Sequence, residues 1–388
     1  MMALFKKRVR KEDQARLESI IKGNAAFALD LYQEMRATPG NLFVSPYSIS
    51  TALAMTYAGA RGDTQTQMAQ ALHFLPEQKQ FHATFALLGT ILGEVVKKGH
   101  IQLKVANALW PRKGYAFLKG FLSLAKKFYA SRITPVDYDD AEAARKMIND
   151  WVDERTESKI KDLIPAGVLD SMTRLVLINA IYFKGEWANQ FDPVLTSQAP
   201  FFTAPDVQVQ VPMMNRKQEF RYAEDGDVQI LELPYAGDDL SMVVVLPREM
   251  SGLEKLEASL NLESLDKWMG GLSETEVEVS LPRFEVSFPF RLDDTLKSMG
   301  MVNAFSNKAD FSGMDGSQEL FIGAILHKAF VAVNEQGTEA AAATAAIMTT
   351  KAIAFTPVVF HADHPFVFFI RTRKTGSILF MGRLANPA

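Results

Sequence analysis

Six histidines and no cysteine set the chemical repertoire of this 388-residue chain. Without a thiol there is no thiolate nucleophile, no disulfide and no Cys-ligated zinc. His73, His82, His100 and His327 stand singly, and His361 and His364 are the one close pair. A spacing of three would bring two ring nitrogens together on a helix. Ala362-Asp363-His364-Pro365 reads instead as a turn before a strand, so no metal site is expected. No Gly-x-Ser-x-Gly elbow, His-Glu-x-x-His pair or Gly-x-x-x-x-Gly-Lys-Ser/Thr loop occurs, and hydrolytic and phosphoryl-transfer enzymes need such parts. Neither catalysis nor a cofactor is expected. His327 lies in an apolar stretch and is read as a core histidine whose ring nitrogens must find partners.

The other singular feature is Val333-Asn-Glu-Gln-Gly-Thr-Glu-Ala-Ala-Ala-Ala-Thr-Ala-Ala-Ile-Met348, small, apolar, free of proline, with Gly337 its one glycine. Alanine alone would favour a helix. A flexible linker would need Gly and Ser, which are nearly absent. The flanks decide: Ile325 to Val333 reads as a strand leading in, and Thr356 to Phe360 resumes strand character. The segment therefore spans two strands as a long exposed loop, a kind that is usually functional.

The elements around it divide by half. Asp13 to Met35, Ser45 to Ala60, Asp63 to Leu72, Glu77 to Lys97, Phe117 to Ala130 and Ala141 to Lys159 carry helical spacing, and Ile101 to Trp110 alternates like a strand. From Leu175 strands dominate: Leu175 to Phe183 is apolar enough to be buried on both faces. Ile230 to Pro234, Leu240 to Leu246, Glu276 to Pro282, Phe284 to Phe290, Phe366 to Arg371 and Ser377 to Leu384 follow. Helical stretches at Gly252 to Met269 and Arg291 to Met299 interrupt them. No linker or repeat divides the chain, which predicts one α+β domain over residues 1–388. Hydrophobic residues make up 48%, enough for a large core. A net charge of −3 offers no basic footprint for nucleic acid, and no apolar window is long enough for a membrane span. Residues 1–12, with Lys6, Lys7, Arg8, Arg10 and Lys11, read as a flexible arm. No apolar leader follows them; that and the missing cysteines suggest the cytoplasm, with an extracellular site open if a leader was removed.

Seven segments in order carry a resemblance to the serpins, inhibitors of serine proteases. They are Asn41-Leu-Phe-Val-Ser-Pro-Tyr-Ser-Ile-Ser50, Ala58-Gly-Ala-Arg-Gly62, Leu177 to Trp187, Ala309-Asp-Phe-Ser-Gly313, His327-Lys328, Asn334-Glu-Gln-Gly-Thr-Glu-Ala340, and Asp363 to Phe369 with Phe380 to Arg383. The resemblance runs from about Asn24 to Asn386. It implies three β-sheets, about nine helices and an exposed reactive-centre loop over residues 336–356. A protease would attack the loop and form a 1:1 acyl-enzyme. The cut loop would then insert as a new strand in the large sheet and carry the protease with it. A monomer is implied, with loop–sheet polymers as a side reaction.

The loop suits that role. Strand insertion excludes proline, and the hinge Gly337, Thr338, Glu339, Ala340, Ala341, Ala342, Ala343 has none. Strand alternation with Thr338 turned inward sends Glu339 to solvent. The family's usual loop length, counted from Glu335, puts the scissile bond at Lys351–Ala352, a bait for trypsin-like enzymes. Met348 or Thr350 is the alternative bait, for chymotrypsin-, elastase- or subtilisin-like enzymes. Ser45, Ser48, Asn179 and His327 match the family's polar cluster beneath the point where the sheet opens. Trp187, Arg283 and Glu335 match the site where the loop first enters, and Glu335 is expected to pair with Arg283. The rival reading is a non-inhibitory binding or chaperone protein on the same fold.

Overall fold

The computed structural model describes residues 11–129, 131–338 and 358–388. Helix α1 (Lys11–Met35) begins inside the stretch read as an arm, and its apolar spacing buries Phe27, Leu31 and Met35 against the body; residues 1–10 lie outside the described residues. Strand β1 (Leu42–Val44) leads to α2 (Pro46–Tyr57). Ser45 caps α2 by accepting a hydrogen bond from the Ser48 amide, and Pro46 sits where a missing N–H costs nothing. Then come α3 (Gly62–Ala71), α4 (Gln78–Val96), β2 (Ile101–Pro111), α5 (Lys119–Tyr129), β3 (Arg132–Ile133), α6 (Ala141–Arg155) and β4 (Leu175–Glu186). Helix α6 stops short of the expected Lys159, with Glu157 and Ser158 both at positive φ.

The second half holds β5 (Ser197–Ala204), β6 (Val207–Asp225), β7 (Val228–Pro234), β8 (Leu240–Pro247), α7 (Leu253–Ser259), α8 (Leu262–Gly271), β9 (Ser273–Pro282), β10 (Phe284–Arg291), α9 (Asp293–Ser298) and α10 (Ser312–Asp315). The helical stretch expected over Gly252 to Met269 is split in two, since Asn261 opens α8 with a capping box shared with Ser264. The chain ends in β11 (Ala324–Asn334), β12 (Gly337–Thr338), β13 (Val358–His361), β14 (Phe366–Thr372) and β15 (Ile378–Leu384).

One sheet has six strands in the order β10-β11-β12-β4-β2-β3. The rest form a network ordered β1-β15-β14-β8-β7-β6-β9-β13, with β5 added on β6. Strand β6 belongs to two sheets: its first half pairs with β5 and its last residues with β7, while β9 takes the opposite edge. The fold thus has the three sheets and, among the described residues, ten α-helices. Helix α6 lies on the six-stranded sheet through Ile148, Trp151 and Val152, which pack on Ala106, Ala108, Trp110 and Ile178. Helix α2 is buried on nearly every face between that sheet and β15. That central position puts its polar N-terminus in the core.

Candidate functional site

Strands β4 and β11 run parallel and pair directly from Val176↔Ala324 to Tyr182↔Phe330. Above that point they part. Beyond β11 the chain turns at Glu335-Gln336 and comes back as β12 between them, with Gly337↔Glu186 and Thr338↔Gly185 on the β4 side and Gly337↔Asn334 and Thr338↔Val333 on the β11 side. Gly337 and Thr338 were expected in an exposed loop; they are buried sheet residues instead. Asn334 makes the turn, its Oδ1 accepting the amides of Gln336 (3.0 Å) and Gly337 (3.3 Å). The Trp187 amide donates to the Gln336 carbonyl at 2.9 Å, and its indole donates to the Asn334 carbonyl at 3.0 Å. Gly337 is required: its φ is 152°, and a Cβ there would collide with the Gly185 carbonyl.

The Thr338 hydroxyl lies 2.8 Å from the Tyr235 hydroxyl, with both side chains fully buried. The Tyr235 ring stacks on Trp187, centroids 4.7 Å apart, and meets Phe183 edge-on at 5.1 Å. Burial pushes its phenol far above the ordinary range, so it stays protonated. Beside it, Glu335 is buried with its carboxylate gripped by the Arg283 guanidinium, whose Nε lies 2.7 and 2.8 Å from the two oxygens. The Thr196 hydroxyl donates to the same carboxylate at 2.5 Å. Burial acts to raise the Glu335 pKa, but the hydrogen bonds from Arg283 and Thr196 outweigh it and the net shift is downward. Trp187, Arg283 and Glu335, grouped from the sequence, therefore share one site. Tyr235, Thr196 and Asn334 were missed. Tyr235 sits in a turn before Gly237-Asp238 that reads only as a hairpin, and nothing local marks its ring as a partner of Thr338.

Lower in the same sheet, Ser45, Ser48, Asn179 and His327 also come together. His327 Nε2 accepts the Ser45 amide (3.2 Å), so the proton is on Nδ1, which donates to Asn179 Oδ1 (2.5 Å). Asn179 Nδ2 donates to Ser48 Oγ (2.6 Å) and to Asn107 Oδ1 (2.5 Å). Ser45 Oγ donates to the Leu379 carbonyl at 2.7 Å. Complete burial pushes His327 down to about 3, so the ring is neutral. The cluster ties the start of α2 to β2, β4, β11 and β15. Asn107 was missed because a lone asparagine in an alternating strand gives no pattern.

Both sites lie on the six-stranded sheet, and the comparisons identify the fold that holds them. The family model described as serpin (serine protease inhibitor) matches residues 22–387. The chain belongs to the serpin family. It is 45% identical over 383 residues to the leukocyte elastase inhibitor of Bos taurus, covering 96% of this chain and 100% of that one. It is 42% identical to human Serpin B3 over 392 residues, with 96% and 100% covered. Among solved structures, human thyroxine-binding globulin in complex with thyroxine aligns at a TM-score of 0.87 and 33% identity, over 96% of this chain and 99% of that one.

In this serpin the ring of His364 is held by its neighbours. His364 uses Nδ1 toward Asp363 (2.7 Å) and Nε2 toward the Pro247 carbonyl (2.7 Å). Among the described residues no group of three His, Cys, Asp or Glu could hold a metal ion, and no described helix is long and apolar enough to cross a membrane. Glu339, Ala340, Ala341, Ala342, Ala343, Met348, Thr350, Lys351 and Ala352 lie outside the described residues.

Proposed function

We propose that this chain is a suicide-substrate inhibitor of a serine protease. The observation that supports it most is the seating of Gly337 and Thr338 between β4 and β11. A loop whose first residues already pair with both strands has a register along which the rest can follow. In the reaction, the protease serine oxygen attacks the bait carbonyl, the amine of the next residue leaves with a proton, and an ester joins the two proteins. Insertion then competes with hydrolysis of that ester. Trp187, Arg283 and Glu335 hold the opening, and the cluster around His327 holds the strands together below it. The expected product is a 1:1 covalent complex from a monomeric inhibitor, and loop–sheet polymers are the failure mode.

Two baits compete. Loop length favours Lys351–Ala352 and a trypsin-like target, whose specificity pocket carries a carboxylate. The relatives named leukocyte elastase inhibitor favour an elastase-like target, with Met348–Thr349 or Thr350–Lys351 as the cut; on present grounds the elastase-like class fits better. Incubation with elastase, chymotrypsin and trypsin should give an SDS-resistant band with at least one of them, and the mass of the released C-terminal peptide will locate the cut. No band with any of the three, with the loop simply cleaved, would leave the binding-protein reading. One observation keeps that reading in view: a structural relative is thyroxine-binding globulin in complex with thyroxine.

A further inference from the structure

We propose that Tyr235 is a positioning residue that seats Thr338 in the six-stranded sheet before any cut is made, and so sets how the acyl-enzyme divides between insertion and hydrolysis. The second clause rests on the inhibitor reading above; the first does not. Tyr235 follows β7 in the neighbouring sheet, and its backbone is fixed at both ends: its amide donates to the Leu240 carbonyl, and its carbonyl accepts from the Asp238 amide. Its ring is clamped by Trp187 and Phe183. The hydroxyl therefore points to one place, and Thr338 is there.

Both hydroxyls are shut away from water. With Thr338 out of the sheet, the Tyr235 hydroxyl loses the bond it makes in the docked state, and buried polar groups strongly resist being unpaired. The docked hinge is thereby favoured. Gly185 and Gly337 allow it sterically, because a Cβ on either would strike its neighbours. Docking matters to rate because starting a strand is harder than extending one. With the first two pairs made, each later residue adds to an existing ladder; with the hinge expelled, the opening must be refilled first. The insertion rate then scales with the docked fraction, while ester hydrolysis does not.

The test uses the full chain as Tyr235→Phe, Thr338→Val, Thr338→Ser and the Tyr235→Phe/Thr338→Val double variant. Phenylalanine keeps the stack on Trp187, so melting temperature should change little. In the uncleaved proteins, amide exchange over residues 337–338 and Trp187 fluorescence read docking directly. Tyr235→Phe and Thr338→Val should exchange faster, Thr338→Ser should behave as the parent, and the double variant should be no worse than the worse single, since one bond is lost in all three. With a protease that forms the complex, the moles of inhibitor consumed per mole of enzyme should rise by up to about tenfold in the two singles. The rate of acylation should stay put. Unchanged exchange in both singles, or additive effects in the double variant, overturns the proposal. If the parent forms no complex with any protease, the inhibitor reading has failed separately, and the exchange and fluorescence data still decide whether Tyr235 seats the hinge.

Discussion

Glu335 is a buried carboxylate at the turn into β12, its charge balanced by the Arg283 guanidinium and its oxygen also accepting from the Thr196 hydroxyl. Replacing it with lysine sets two cations side by side where the sheet opens. Breaking a buried pair costs about 3–5 kcal/mol, but the Arg283 side chain is 44% exposed, so solvent screening reduces this to about 1–2 kcal/mol. That is enough to loosen the turn without unfolding the protein. Glu335→Lys should form polymers on gentle heating, seen by size-exclusion chromatography under conditions where the parent stays monomeric. A variant with parental unfolding and no polymers would show that the pair does not guard the opening. The residues of this site were unequally legible. Trp187 and Glu335 stand in segments that carry the resemblance, and Arg283, outside those segments, was matched to the family's loop-entry site. Thr196 and Tyr235 enter through contacts 139 and 103 residues distant in sequence, and their surroundings look like ordinary turns.

Five elements meet at His327, so its protonation state is a property of how they pack. The unfolded chain takes a proton on this ring below about pH 6.5, its ordinary value. The folded protein does not until the pH reaches about 3. Between those limits the unfolded state binds more protons, so stability is full above the upper value and is lost as the pH falls. The loss amounts to about 2 kcal/mol at about pH 5. His82, pushed down to about 4 by burial beside α5, acts in the same window. The denaturant midpoint should therefore fall on acidification from about pH 7, and His327→Gln, though weaker at neutral pH, should lose less of it. Equal losses in variant and parent would remove His327 from the account. At this scale the apolar runs made most elements readable, Leu175 to Phe183 above all. Strands β5 and β6 were not read, because Gln208, Gln210, Asn215, Arg216, Lys217 and Gln218 disguise β6 as a polar connection while its pairing on both edges makes it a strand. Strand β12 is two residues long, too short for any periodicity. It exists because β4 and β11 part above Tyr182 and Phe330.

On the inhibitor reading, the six-stranded sheet would take one further full-length strand between β4 and β11. Below their fork β4 and β11 are joined by a single parallel ladder, and β4 is 12 residues long. A loop inserted along that length would exchange one ladder for two, with each new pairing antiparallel like those that Gly337 and Thr338 already make. A net gain of roughly ten backbone hydrogen bonds, at about 1 kcal/mol each, is on the order of 10 kcal/mol. Spread over the unfolding entropy of a chain this long, it raises the melting temperature by about 10 °C or more. The intact protein cannot collect this while its loop is tethered at both ends, to β12 on one side and to β13 on the other. On that reading, cutting the loop would free one end, and the gain would become available whether or not the protease stays attached. Trace cleavage within the loop, followed by calorimetry without separating the fragments, should therefore show the cut protein melting well above the intact one. A binding protein of the same fold whose loop never inserts would melt at one temperature before and after. That outcome would sink the inhibitor reading even if a protease had been found that cuts at Lys351, because cleavage without insertion leaves the ester free to hydrolyse.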